Sequence, residues 1–159
     1  MLYIGTHELT VDPKNRLSIP AGVKREMDPE EDGESFVLVP GDWPGSLSLY
    51  GDRYFRRMAE RRHASLDPGE EADMFETVFY SRATNLDIDK QRRVVLPQWM
   101  LDLARIGKHV TLSGARDHLI LWDREAHARF MDENGARCRD LLRQAQLKTQ
   151  QARSNGSQG

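Results

Sequence analysis

Two segments of the 159-residue chain place an aspartate four positions before an arginine, each followed by an aliphatic–x–aliphatic–proline run. The first, VDPKNRLSIP, holds Asp12 and Arg16, and the second, IDKQRRVVLP, holds Asp89 and Arg93, 77 positions later. An aspartate at this spacing can accept hydrogen bonds from loop amides or pair with its arginine. The pattern therefore has two interpretations: a turn held by an ion pair, or a turn that projects cations toward an anionic partner.

Further basic side chains in both turns favour the second interpretation. Lys14 lies in the first turn, and Lys90 and Arg92 lie in the second. Several cations on a rigid hairpin suit contacts to phosphates and, through arginine, to the edges of bases. The formal net charge of the chain is −2, unlike the strongly basic balance of many nucleic-acid binders. Any nucleic-acid binding must therefore come from local patches such as these.

The two turns belong to an internal repeat, which indicates how the chain is organised. Aligning residues 9–20 with residues 86–97 gives four identical positions out of twelve and three exchanges between aliphatic residues. Each copy reads as strand, turn, strand, short helix, two strands and a longer helix. Four short strands bury little surface alone and leave exposed edges, so we expect the two copies to interleave.

The repeat predicts five segments along the chain. They are a first unit at residues 7–53, a helical linker at 54–82, a second unit at 84–126, a C-terminal helix at 127–147 and a disordered tail at 148–159. The tail is expected to be disordered because it has no apolar periodicity.

Composition argues against several classes of protein. No apolar run approaches the ~20 residues of a membrane helix, and the N-terminal segment lacks a signal-peptide pattern. The single cysteine, Cys138, cannot form an internal disulfide, which fits a reducing cytoplasm. The histidines have no metal-ligand spacing, so we expect no metal and no cofactor. Asp12 and Asp89 could form a symmetric carboxylate pair, but each has its own arginine, so we expect no enzyme.

The segments LTVDPKNRLSIPAGVKREM, LDIDKQRRVVLPQWMLDLARI and HLILWDREAHARF together resemble the MraZ family, over about residues 3–145. These bacterial transcription regulators contain two tandem AbrB-like units. The resemblance implies an α+β fold, in which the two units form a pseudo-twofold double swapped-hairpin β-barrel with flanking helices.

The resemblance also implies a function and its residues. It implies a cytoplasmic, nucleoid-associated regulator that assembles into rings, as an octamer or a dodecamer. Such a ring would bind double-stranded DNA at direct repeats in the promoter of a division and cell-wall gene cluster that includes its own gene. The implied DNA-facing residues are Lys14, Arg16, Lys90 and Arg93, with Arg92 as an added phosphate contact and with Asp12 and Asp89 orienting their loops.

The chain departs from the family at the residue before each motif arginine, which is usually glycine. Asn15 stands there in the first loop and Arg92 in the second. If this position needs a positive φ, asparagine adopts it at modest cost and arginine less readily. The substitution therefore predicts a second loop of different shape.

A protein-interaction module is the main alternative. AbrB-like units also occur in antitoxins, and the basic, amphipathic segment 123–147 could bind a protein partner. A test of DNA binding separates the two functions.

Overall fold

The computed structural model describes residues 1–158 and divides into two compact units. The first unit is Met1–Ala126 and contains all the strands of both copies of the repeat. The second is His127–Gly159, of which residues up to 158 are described.

The two copies contain the same elements in the same order. The first copy has strands and helices at β1 (Thr6–Thr10), β2 (Arg16–Ser18), α1 (Ala21–Glu26), β3 (Phe36–Pro40), β4 (Ser46–Gly51) and α2 (Asp52–Ser65). The linking helix is α3 (Glu70–Arg82). The second copy has β5 (Thr84–Leu86), β6 (Arg93–Val95), α4 (Gln98–Ala104), β7 (His109–Gly114), β8 (Leu119–Asp123) and α5 (Arg124–Asn134).

Strand pairing joins the two copies into one structure. Six strands form an antiparallel sheet in the order β1-β7-β8-β4-β3-β5, and β2 pairs with β6 in a separate two-stranded ribbon. The first strand of the first copy pairs with β7 of the second, and the first strand of the second copy pairs with β3 of the first. The predicted interleaving is therefore present, because each copy completes the sheet of the other.

The α+β class is confirmed, but the predicted barrel is wrong: over residues 1–158 the large sheet stays open, with β1 and β5 at its edges. The physical reason lies in the ribbon. Its strands are three residues long and pair only with each other, and Pro20 and Pro97 soon follow them. Because the ribbon pairs with neither β1 nor β5, no strand closes the two edges of the large sheet.

The central strands are buried on both faces, and their side chains alternate between two apolar clusters. Phe36 and Leu38 enter the main core, whereas Val37 and Val39 point to the opposite face. There they pack with Phe55 of α2, so that face is covered by α2 and α3. A strand with both faces covered reads as a continuous apolar run, as FVLV does here.

The prolines at the ends of the ribbon strands also begin the short helices. Pro20 and Pro97 occupy the N-cap positions of α1 and α4 with extended backbone angles. Their carbonyls accept the first helical hydrogen bonds, from the amides of Lys24 at 3.1 Å and Met100 at 3.1 Å. Proline suits this position because the missing N–H would have no helical partner.

The C-terminal segment is helical on both sides of a short 3-10 turn. The turn, at Gly135–Arg137, lies within residues 127–147, and its glycine weakens the α-helix there. The next helix, α6, spans Cys138–Gly156 and so continues into the segment 148–159 that was predicted to be disordered. Beyond residue 147, its lysine, glutamine, alanine and arginine residues favour a helix even without an apolar stripe. Among residues 1–158, no helix has the length and apolar character that crossing a bilayer requires.

Candidate nucleic-acid interface

The ribbon of β2 and β6 brings the two aspartate–arginine turns to one surface. In its antiparallel register Leu17 lies opposite Val94, and both side chains are completely buried in the main core. Successive side chains of a strand point to opposite faces, so the neighbouring positions point outward. The outward positions, which form the outer face of the ribbon, are Arg16, Ser18, Arg93 and Val95. The motif arginines lie on diagonal positions, roughly 7–8 Å apart at the backbone by strand geometry.

The first loop is organised around the carboxylate of Asp12. Its Oδ1 accepts the backbone N–H groups of Lys14 at 2.9 Å and Arg16 at 2.8 Å, and its Oδ2 accepts Nε of Arg16 at 2.6 Å. Backbone bonds from Asp12 N to Arg16 O and from Asn15 N to Asp12 O complete the turn. The aspartate therefore does both things expected of it, since it caps the loop amides and holds the arginine.

The second loop repeats this arrangement bond for bond. Oδ1 of Asp89 accepts the backbone N–H groups of Gln91 and Arg93, both at 2.8 Å, and Oδ2 accepts Nε of Arg93 at 3.0 Å. The backbone bonds from Asp89 N to Arg93 O and from Arg92 N to Asp89 O match those of the first loop. Two segments of different sequence thus present an arginine in the same way.

The prediction that the second loop would have a different shape is wrong. Arg92 adopts φ 59°, almost the value of 60° at Asn15. The reason is a pair of bonds across the ribbon: Asn15 O accepts the amide of Leu96 at 2.8 Å, and Arg92 O accepts the amide of Ile19 at 2.7 Å. A non-glycine residue keeps a left-handed conformation when the surrounding structure holds it there. Here equivalent hydrogen bonds hold Asn15 and Arg92 in that conformation.

This geometry leads to a prediction about the stability of the second loop. We expect Arg92→Val to lower the free energy of unfolding by about 1–2 kcal/mol, because a β-branched side chain opposes a positive φ. Arg92→Gly should be at least as stable as the wild type, since glycine adopts this φ without strain. Chemical denaturation of the three proteins measures the difference. Equal losses in both variants would mean that the arginine side chain, and not its backbone angle, matters for stability.

Hydrogen bonds fix the charge of both aspartates as well as their position. The backbone N–H of Arg16 and then its side chain lower the pKa of Asp12, and Arg93 lowers the pKa of Asp89 in the same way. Both carboxylates are therefore ionised at neutral pH and orient the arginines at Nε. Among residues 1–158, the terminal guanidinium nitrogens of the two arginines have no hydrogen-bond partner, so they remain available to a ligand.

The structure places all seven residues predicted from the sequence on the two loops that the ribbon joins. Lys14, Lys90 and Arg92 are exposed, while the motif arginines are half-buried. Sequence reasoning missed Gln98, whose side chain accepts a bond from Asn15 Nδ2 at 3.1 Å and so ties the first loop to α4. It also missed Ser18 and Val95 on the outer face of the ribbon, although two-residue alternation from each motif arginine identifies them.

The basic run at residues 56–63 has a structural role in the helical pair α2 and α3. The His63 ring lies 2.9 Å from the Glu76 carboxylate, and the Arg62 guanidinium lies over the rings of Phe75 and Phe79 at 5.7 and 5.1 Å. These contacts join the basic helix to the acidic one.

Within residues 1–158, no cluster of three or more histidine, cysteine or carboxylate side chains is arranged to hold a metal ion.

A family model and several known proteins that resemble this chain all carry the same family name. Residues 79–148 match the family model described as "MraZ protein, putative antitoxin-like". The chain is 31% identical over 133 residues to Transcriptional regulator MraZ of Clostridium tetani, covering 84% of this chain and 89% of the relative. It is 34% identical over 133 residues to the protein of that name from Mycoplasmopsis pulmonis, covering 83% and 86%. For the Heliobacterium modesticaldum protein, identity is 28% over 132 residues, covering 83% and 88%. The chain belongs to the MraZ family.

Proposed function

We propose that this chain is a sequence-specific DNA-binding transcriptional regulator. In this proposal it acts in the cytoplasm at the nucleoid, and it binds direct repeats in the promoter of the division and cell-wall gene cluster that includes its own gene. The relatives are named transcriptional regulators, which supports regulation without catalysis. We also interpret the exchange of β1 and β5 between the two copies as the swapped-hairpin arrangement of AbrB-like units.

One observation carries the proposal: the ribbon presents two loops of matching geometry, each with an arginine anchored at Nε. An arginine held in place loses little side-chain freedom when its outer nitrogens bind a phosphate or the O6 and N7 atoms of guanine. The loop lysines and Arg92 add charges suited to the backbone of the duplex. A two-stranded ribbon is also narrow enough to enter the major groove.

Self-assembly supplies the strength that one ribbon lacks. A single copy offers five cations on its two loops, and the chain as a whole is slightly acidic, so one copy should bind weakly at physiological salt. A ring, octameric or dodecameric in this proposal, places several ribbons along consecutive repeats. Linked sites of this kind gain affinity by roughly 10²–10⁴-fold without any new contact.

The number of DNA repeats tests this function directly. We expect a duplex carrying the tandem repeats from upstream of the chain's own gene to bind at least about 100-fold more tightly than a duplex with one repeat. Affinity should also fall steeply as salt rises, because each neutralised phosphate releases counterions. Fluorescence anisotropy across a salt series measures both effects.

A scrambled duplex of equal length and charge is the control for non-specific binding. Equal affinity for the single-repeat, tandem-repeat and scrambled duplexes would contradict the proposed recognition of repeats. No binding to any duplex or genomic fragment by the assembled protein would contradict DNA binding itself.

A protein-interaction function of the antitoxin type remains the second candidate. The description of the matching family model points in this direction. So does α6, where Leu141 and Leu142 are exposed on a helix rich in basic residues. Under this function the aspartate–arginine loops would be structural turns, and their arginines could be replaced without loss of activity.

A further inference from the structure

The outer side of α3 is an exposed apolar surface. Met74, Phe75 and Val78 keep 54%, 38% and 49% of their surface exposed, and none of the described side chains of α3 is fully buried. With Pro40, Phe79 and Arg82 they line one shallow groove. Contiguous apolar surface of this kind on a protein marks a place where something docks.

The charges around this groove are acidic at the beginning of the helix. Glu70, Glu71 and Asp73 all lie in the first turn of α3, and Arg82 is at its end. At 3.6 residues per turn, Glu71 lies on the same side as Met74 and Val78, with Glu70 beside them. Asp73 lies on the opposite side of the helix. An occupant of the groove must therefore tolerate, or prefer, a carboxylate-rich end.

Helix α6 of the same chain has the complementary features. None of its described side chains is buried, and Leu141 and Leu142 are 41% and 59% exposed. At helical spacing, Ala145 continues this apolar stripe, and Lys148 and Arg153 border it toward the C-terminal end. Over its length α6 has four basic residues and one acidic residue, whereas α3 has four acidic residues and one basic residue.

We infer that α6 of one copy docks on the α3 groove of a second copy. The helices run antiparallel in this contact, because that direction places the basic C-terminal half of α6 against the acidic first turn of α3. Every copy carries both halves of the contact, one on α3 and one on α6. A contact of this head-to-tail type closes into a ring when its rotation permits. The inference rests on the self-assembly in the proposed function and assigns the surfaces that perform it.

Paired charge reversals test the contact. One variant carries Glu70→Lys and Glu71→Lys, and the other carries Lys148→Glu and Arg153→Glu. Each alone places like charges opposite each other, so we expect the concentration at half dissociation of the assembly to rise at least about tenfold. Sedimentation velocity over a dilution series measures that concentration, and circular dichroism checks that both helices remain folded.

Mixing the two variants identifies the contact as one between copies. In an equimolar mixture the basic α3 of the first variant meets the acidic α6 of the second. The wild-type α6 of the first variant meets the wild-type α3 of the second, so opposite charges face each other in both contacts. We expect the mixture to assemble at the wild-type concentration. Asp73→Lys and Arg143→Glu are the matched controls, because they reverse charges on the far sides of the same helices and should leave assembly unchanged.

The other outcomes overturn specific statements. Reversals that leave a wild-type oligomer intact would overturn the docking of α6 on α3 and leave the proposed function standing. Reversals that weaken assembly but are not rescued by mixing would overturn the pairing of α6 with α3 between copies. A wild-type protein that is monomeric at all concentrations would overturn the proposed self-assembly, and with it this inference.

Discussion

The double variant Arg16→Ala, Arg93→Ala binds the tandem-repeat duplex at least about 100-fold more weakly than the wild type. Each arginine reaches the outer face of the ribbon and is held there through Nε by its own aspartate. One arginine contact to a guanine edge contributes about 1–3 kcal/mol of discrimination, and the double change removes two contacts from every copy that meets the DNA. Anisotropy at fixed salt gives the loss, and the slope of affinity against salt should decrease because fewer phosphates are neutralised.

The matched control is Arg56→Ala, which removes an exposed arginine from α2 and leaves both loops intact. It should bind DNA like the wild type, because the lost positive charge lies on α2 and not on the loops. The double variant must also sediment as the wild-type assembly, so that loss of binding is not loss of the ring. Wild-type affinity in a correctly assembled double variant would contradict DNA binding through these loops and favour the protein-interaction function.

The second large effect concerns the inner face of the ribbon. We expect Leu17→Ala to lower the free energy of unfolding by about 2–5 kcal/mol, because it opens a cavity beneath the two loops. Leu17 is completely buried opposite Val94, so little rearrangement can fill the space. Chemical denaturation measures the loss, and the melting temperature should fall by roughly 5–15 °C for a chain of this length.

A neighbouring position on the other face provides the control for this change. Val95 is 60% exposed, and Val95→Ala should change the free energy of unfolding by no more than about 0.5 kcal/mol. The difference between the stability losses of Leu17→Ala and Val95→Ala tests which face of the ribbon packs against the core. Equal stability of the Leu17→Ala protein and the wild type would mean that the ribbon does not depend on the core.

Much of the repeated unit can be predicted from residues close together in the chain. The alternation around Leu17 and Val94 predicts strands with a buried and an outward face, and Pro20 and Pro97 predict where those strands end and helices begin. These features follow from local chemistry. The alternation of side chains along a strand and the missing N–H of proline both affect only residues that are close in the chain. The end of α6 is less predictable: the helix runs to Gly156, beyond the expected residue 147, since helix ends depend on the caps and packing that each end finds.

The sequence by itself determined the two turns, their charged residues and the order of elements in each copy. Only the tertiary structure decided which strands join the two copies, that the large sheet stays open, and that α3 keeps an apolar surface exposed. It also decided the backbone of Arg92, which a partner amide 73 positions away in the chain holds at positive φ. The physical reason is that an alternating strand can pair with several others, and the choice among them depends on hydrogen bonds and packing between distant segments.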